Sequence, residues 1–269
     1  MSEASRLHRF SLRGVALIYL FVLLIAPVGL IFYKTFENGV GPPLEAITSP
    51  DGLHAFWLTI VCVGIAVPLN TLFGVITAIV MVRHKFRGKA LLNSVIDLPF
   101  AISPVVIGLA LILIYGRDGW FGGTLEDLGV QVIFSVPGMV LATIFVSLPF
   151  VVREVVPVLR EIGTDQEQAA ATLGAGSFQT FRRITFPAIR WAVAYGVVLT
   201  TARALGEYGA VTVVSGRIVG ETQTMTIHVE ERFQSFDLVG AYAASVVLAM
   251  LAIAVLLLMT LFKPKEETR

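Results

Sequence analysis

Long apolar runs separated by short polar segments dominate this chain. They cover residues 15–33, 53–82, 91–115, 136–158, 188–214 and 238–262. With a rise of about 1.5 Å per residue, roughly 20 residues cross the ~30 Å hydrocarbon layer, so each run is long enough to span it. None keeps the period-2 alternation of a membrane strand, and all are too long for one. Pro68, Pro99, Pro104, Pro149 and Pro157 interrupt the second, third and fourth runs. The pattern predicts an all-α integral membrane protein with six transmembrane helices. The first run follows Arg6, Arg9 and Arg13, as the apolar core of a signal peptide would. It exceeds the usual ~7–15 apolar residues and no small-x-small cleavage site follows, so it reads as a retained helix.

Charge sets an orientation, because Lys and Arg collect in cytoplasmic loops. One set of alternating segments carries Arg6, Arg9 and Arg13; then Arg83, Lys85, Arg87 and Lys89; then Arg153, Arg160, Arg182, Arg183 and Arg190; then Lys263, Lys265 and Arg269. The opposite loops hold Lys34, Arg117, Arg217 and Arg232 among acidic residues such as Glu37, Glu45, Asp118, Glu126, Glu221 and Asp237. The alternation predicts a multi-pass protein with both termini in the cytoplasm. The expected organisation is a tail at 1–14, a membrane domain at 15–262 and a second tail at 263–269.

Composition narrows the function classes. The 269 residues are 56% hydrophobic and 14% charged, with a mean hydropathy of +0.82. A soluble domain carries roughly 25% charged residues, so a soluble enzyme, a disordered tail and a disulfide-stapled secreted domain are excluded. The one cysteine, Cys62, lies in an apolar run and reads as an inert packed thiol. His8, His54, His84 and His228 are scattered, so no metal site is expected. There is no Walker A pattern and no GxSxG elbow, so neither a catalytic residue nor a cofactor of this chain is expected. The basic residues follow membrane topology and form no single patch, which speaks against nucleic acid. Membrane lipid is the expected surroundings.

The longest cytoplasmic insertion joins the fourth and fifth runs. Residues 164–174 read as a short helix. Thr164 and Glu167 have capping-box spacing, Asp165 and Glu167 suit a helix N-terminus, and Ala169, Ala170 and Ala171 propagate helix well. Gly174 or Gly176 can end it in the left-handed conformation. Pro187 can open the fifth membrane helix. Such a small-residue helix lets another protein's backbone approach, with Phe178, Phe181 and Ile184 as anchors and Arg182 and Arg183 facing an acidic rim. Composition alone leans to a loop helix folded back on its own bundle.

The spacing favours the first of these. Gln168-Ala169-Ala170, then Gly174, then Ile184-Thr185-Phe186-Pro187 after nine residues, resembles the EAA loop of ABC importer permeases, Glu-Ala-Ala-x-x-x-Gly-x9-Ile-x-Leu-Pro. The departures are Gln168 for Glu, with Glu167 just before it, and Phe186 for Leu. The stretches Leu98-Pro99-Phe100-Ala101-Ile102-Ser103-Pro104 and Arg203-Ala204-Leu205-Gly206-Glu207-Tyr208-Gly209 resemble the sulfate and molybdate branch of that family. Val213-Val214-Ser215-Gly216 and Gly220-Glu221-Thr222 are similar to its CysW-type subunits. The resemblance implies the type I, MetI-like permease architecture in a bacterial inner membrane. It implies a coupling loop at 160–187, with Glu167, Gln168, Ala169, Ala170, Gly174, Phe181, Ile184 and Pro187 docking a cytoplasmic ATP-binding subunit dimer. It also implies a second, CysT-type permease subunit and a periplasmic sulfate/thiosulfate-binding protein. ATP is then used by the partner subunit. The cargo is sulfate or thiosulfate, with molybdate or tungstate as the alternative. A channel or membrane-embedded enzyme would leave the docking loop without a purpose.

Arg203 and Glu207 fall inside the fifth run, where each bare charge costs ~2.5–3.5 kcal/mol near the bilayer centre. Their i,i+4 spacing puts both on one face of a continuous helix. Two roles fit: an internal ion pair that fixes packing, or a lining of the oxyanion path. Ser103 and Pro104 mark an irregular helix start, which is tolerated where backbone lines water. Asp97 can cap that helix or pair with a loop arginine. The outer segment 215–236 is too polar to span and too apolar for a free tether, so part of it reads as re-entrant or surface-docked. Two roles fit: an outer gate where Ser215, Thr222 and Thr224 offer hydroxyls to an oxyanion, or a packed loop that contacts the binding protein.

Overall fold

The computed structural model describes residues 3–262, with side chains described over 12–258. The expected tail at 263–269, with Lys263, Lys265 and Arg269, lies outside the described residues, as do the side chains of Arg6 and Arg9. Everything described is helix or connecting loop. α1 (Glu3–Leu20) runs through one π turn, Phe21–Ile25, into α2 (Ala26–Phe36). α3 (Gly41–Thr48) precedes the long α4 (Pro50–Arg83), which starts where Ser49 Oγ accepts from the Gly52 N–H at 3.2 Å. α5 (Lys89–Ala101) and α6 (Pro104–Tyr115) are bent by 116° at residues 102–103. α7 (Gly122–Asp127) leads to α8 (Val136–Glu161), then α9 (Asp165–Thr172) and α10 (Ser177–Thr180). A second π turn, Phe181–Thr185, joins α10 to α11 (Phe186–Leu205). α12 (Gly209–Val214), α13 (Met225–Gln234) and α14 (Leu238–Phe262) complete the chain.

Five helical stretches are long and apolar enough to cross a membrane, and a sixth if α5 and α6 are taken as one span. Both π turns stand two residues before a proline, Pro27 and Pro187. Proline donates no N–H and crowds the carbonyl four residues back, so a widened turn keeps the helix continuous.

The core is the α4–α8–α11 junction. Gly74 and Gly196 both abut Val151: a Cβ at Gly196 would lie 2.9 Å from Val151 Cα, and one at Gly74 would lie 2.8 Å from Val151 Cβ. Small residues permit this approach of backbones, the usual driving geometry between membrane helices. Asn70 on α4 donates to Ser147 Oγ at 2.9 Å and to the Ile144 carbonyl at 3.1 Å on α8, so its amide is used across the interface. One apolar cluster, with Leu58, Leu111, Met139 and Val211, fills one half of the bundle. Another, with Val75, Val155, Leu159 and Ile189, fills the half where α4 and α8 end. α2 lies against α14, and within the span Leu12–Phe36 only Thr35 is buried among the described residues.

Two expectations change. The run 188–214 is not one helix: α11 stops at Leu205, and residues 206–208 separate it from α12. Glu207 is the cause. It ends the helix by turning its carboxylate onto the next one. The third run is likewise not a straight crossing but a sharply bent pair. Pro104 disfavours helical backbone at Ser103, which takes φ −59° and ψ 136°.

Candidate functional site

α9 carries no buried residue, and it is fixed at its two ends. At the C-terminus, the Gly174 N–H donates to the Ala171 carbonyl at 3.0 Å and the Ala175 N–H to the Ala170 carbonyl at 3.0 Å. These are the two bonds of a Schellman motif, with Gly174 at φ +84°. Of the two glycines considered from sequence, Gly174 closes the helix. At the other end the expected capping box is absent. Thr164 makes no cap bond to the backbone, and its Oγ1 accepts from Gln168 Nε2 at 2.9 Å. Glu167 instead turns inward. Its Oε2 lies 2.9 Å from Arg83 Nε, and its Oε1 accepts from Arg83 Nη2 at 3.1 Å and Thr185 Oγ1 at 2.8 Å.

Beyond the C-terminal end of α9, Leu173 is 88% exposed and Phe178 75% exposed. Gln168, Ala169, Gly174, Arg182, Arg183 and Pro187 are exposed beside them, with Ala170 half-buried. Phe181 does not belong to that surface. It packs on the cluster of Val75, Val155 and Ile189, and Ile184 is half-buried. The anchoring triad expected from sequence is therefore split, with only Phe178 projecting.

The second group forms where the two breaks meet. A Cβ at Gly209 would lie 3.0 Å from Pro104 Cβ, and one at Gly108 would lie 2.8 Å from the Ala210 carbonyl oxygen. The structure thus brings the Ser103–Pro104 break against the 206–208 break. Glu207 is 3% exposed. Its Oε1 accepts from the Ala210 N–H at 2.9 Å, which caps α12, and its Oε2 lies 2.7 Å from Arg203 Nη1. Arg203 is a third exposed, and its other guanidinium nitrogens have no partner among the described residues. The expected pairing forms, though across a helix end and not along one face. Ser103 is exposed and makes no cap bond to α6.

Ser215 and Thr222 are buried in the following loop. Ser215 Oγ accepts from the Arg217 N–H and Thr222 Oγ1 from the Ile218 N–H, both at 3.2 Å. Thr226 Oγ1 donates to the Glu207 carbonyl at 2.8 Å, and the Met225 N–H donates to Thr59 Oγ1 at 2.8 Å. α13 is therefore docked on α4 and on the 206–208 break. Buried His228 shares a bond with Gln223 Oε1 at 3.1 Å, and Gln223 Nε2 donates to Glu231 at 2.5 Å. Burial holds the His228 imidazole below its ordinary value, and Arg232 pushes the same way. Asp97 pairs with Arg153, which lies on α8 and not in a loop.

The family model described as "Binding-protein-dependent transport system inner membrane component" matches residues 70–267. The chain belongs to that family. The permease is 51% identical to "Sulfate transport system permease protein CysW" of Synechocystis over 93% of this chain and 91% of the relative. It is 44% identical to the Escherichia coli K12 protein of the same name over 100% and 96%. "Probable sulfate transport system permease protein cysT" of Nephroselmis olivacea is 37% identical over 91% and 86%. The fold matches a chain of a bacterial ABC transporter involved in the import of the acidic polysaccharide alginate. There the TM-score is 0.81 at 17% identity, covering 99% of this chain and 98% of that one. The permease is thus an all-α, multi-pass inner-membrane transport component of the MetI-like architecture.

Sequence reasoning missed Arg83 and Thr185. Arg83 counted only as a topology marker, and Thr185 as a filler between motif positions. The available signal was an arginine in the last turn of an apolar span, ahead of a loop with its own bases.

Proposed function

We propose that this chain is the permease subunit of an ATP-driven importer that moves sulfate, and thiosulfate by the same route, across the inner membrane by alternating access. The observation that carries this is near full-length identity with sulfate transport permeases. Identity is higher to the proteins named CysW than to those named cysT, which supports a heterodimeric pairing with a CysT-type subunit. A periplasmic sulfate-binding protein delivers the anion, and both termini of this chain are cytoplasmic.

α9 is the coupling helix. Leu173 and Phe178 seat it in a groove of a cytoplasmic ATP-binding subunit, with Arg182 and Arg183 against an acidic rim. The small side chains of Ala169 and Ala170 let the partner's backbone approach. Gln168 offers the ATPase an amide where the family pattern has a carboxylate. Phe181, Ile184 and Pro187 act from within, fixing the helix that carries the loop. ATP binding in the partner draws two such helices together and tilts the bundles. Hydrolysis belongs to the partner.

The paired breaks form the path and its gate. Arg203 presents unpaired guanidinium donors, a planar fork that suits a tetrahedral dianion. Glu207 keeps half of that charge occupied, so the anion is held weakly enough to leave. Ser103 and Pro104 form the facing wall, and Ser215 and Thr222 hold the outer loop in place. Sulfate uptake in cells lacking this chain, with and without its return, tests the reading. Restored uptake, competed by thiosulfate more than by molybdate, supports it. Unchanged sulfate uptake in the deleted cells overturns the cargo.

A further inference from the structure

Among the described residues of the coupling loop, Glu167 is a carboxylate held from two sides, by Arg83 on α4 and by Thr185 ahead of α11. Arg83, in the last turn of α4, meets it with the edge of its guanidinium fork: Nη2 donates to Oε1 at 3.1 Å, and Nε lies 2.9 Å from Oε2 as an ionic contact. The remaining Arg83 nitrogen, Nη1, donates to the Leu159 carbonyl at 3.0 Å, in the last turn of α8. Thr185, in the π turn ahead of α11, donates to Glu167 Oε1 at 2.8 Å. Arg83 is only 11% exposed and Glu167 21%, while Thr185 is buried. Each charge also sits at a favourable helix end: the carboxylate in the first turn of α9, and the guanidinium in the last turn of α4 and on a carbonyl of the last turn of α8.

We infer that Arg83, Glu167 and Thr185 form a latch that ties the coupling helix to α4, α8 and α11, so that force on α9 moves the three core helices as one body. The inference rests on the reading of α9 as the ATPase-docking helix. The physical argument is one of stiffness. α9 is eight residues long and buries nothing, so packing does not hold it. A short helix without packing is marginal by itself. Without the latch, a push on Leu173 and Phe178 would bend the loop and leave the bundle where it was. A planar guanidinium that donates to one carboxylate oxygen, touches the other and is itself held by the Leu159 carbonyl fixes direction as well as distance, which a point charge does not. The same helices α4, α8 and α11 meet at Val151 through Gly74 and Gly196, so the latch acts on an already stiff junction. Arg83 and Thr185 are positioning residues, touching neither ATP nor the anion.

The test uses the full importer, with its ATP-binding subunits, partner permease and sulfate-binding protein, in proteoliposomes. Three quantities are read: retention of the ATPase on purification, ATP hydrolysis, and sulfate moved per ATP. Arg83→Gln and Glu167→Gln are expected to retain the ATPase and its hydrolysis while sulfate per ATP falls roughly 10-fold, within the range of site-to-site couplings. Arg83→Lys keeps the charge without the fork and falls less. The double variant falls no further than either single one, because both break the same contact. Should Arg83→Gln fail to insert, Thr185→Val reads the same ratio with an expected loss of about 2–10-fold for one hydrogen bond. An unchanged ratio in the variants that insert overturns the latch. So does loss of the ATPase from Glu167→Gln alone, which would put that carboxylate on the partner. Leu173→Glu tests docking separately: if it retains the ATPase, the coupling-helix reading fails, whatever the Arg83 variants show.

Discussion

Gly174 separates a conformational requirement from a steric one. Its φ is +84°, a backbone region costly for side chains of L configuration, yet a Cβ there meets nothing within 4 Å of its own chain. Substitution by Ala therefore adds no clash inside the permease. Its cost is that of holding an L-residue in the left-handed region, about 1–2 kcal/mol. That shifts the capped population by roughly 5–30-fold. Asn enters this region several-fold more readily, and β-branched Val hardly at all. The cost falls on α9 directly, because no buried residue shares the load. The assay is titration of the ATP-binding subunit against the detergent-solubilised permease pair, followed by sulfate uptake in cells. Conformation orders the variants Gly, Asn, Ala, Val. Pure crowding by the ATPase would order them Gly, Ala, Asn, Val. Ala binding the ATPase better than Asn would refute the argument from φ and make residue 174 a contact.

Gly196→Ala is expected to destabilise the permease by about 1–3 kcal/mol, because its Cβ meets the Val151 backbone and nothing there can turn aside. Gly64→Ala, with nothing within 4 Å, is the control, and thermal unfolding in detergent compares the two. Glu207→Gln is expected to cost ~2 kcal/mol or more: its amide oxygen can still cap α12, but Arg203 is left without its charge partner. Asp97→Asn, at a pair about 40% exposed, should change stability by less than ~1 kcal/mol in the same measurement. Acidification tests His228. Its folded value is lowered by burial and by Arg232, against the opposing pull of Glu231, Asp51 and Asp237. The unfolded chain therefore takes up the proton first. The contribution is whole above the ordinary value of 6.5 and is lost as pH falls below it, so the melting temperature should drop between pH 7.5 and 5.5. His228→Asn should flatten that drop.

What the chain reveals before folding, and what it withholds, divides along the range of the interactions. The apolar runs were legible because a span needs only its own residues to be apolar. Gly174 was legible because a Schellman cap is local: two backbone bonds within six residues, and one position that must be left-handed. Glu167 was half legible. Its spacing from Thr164 is that of a capping box, and a solvent-exposed helix would have used it so. Arg83, 84 residues earlier, competes for the same carboxylate with a full charge and a charge-assisted hydrogen bond, and a neutral backbone N–H cannot match it. The break at 206–208 was hidden for the opposite reason. Flanked by apolar residues on both sides, it reads as one continuous span until Glu207 is seen capping α12 and holding Arg203 at once. A helical i,i+4 pair would have served Arg203 alone. Ending α11 lets one buried carboxylate satisfy both a cation and a helix N-terminus, and it leaves the guanidinium in the last turn of α11, next to the 206–208 break. A straight helix would need a second polar group to do the same. The breaks at 102–103 and 206–208 therefore meet in space, and that meeting is what supports the route proposed for the anion.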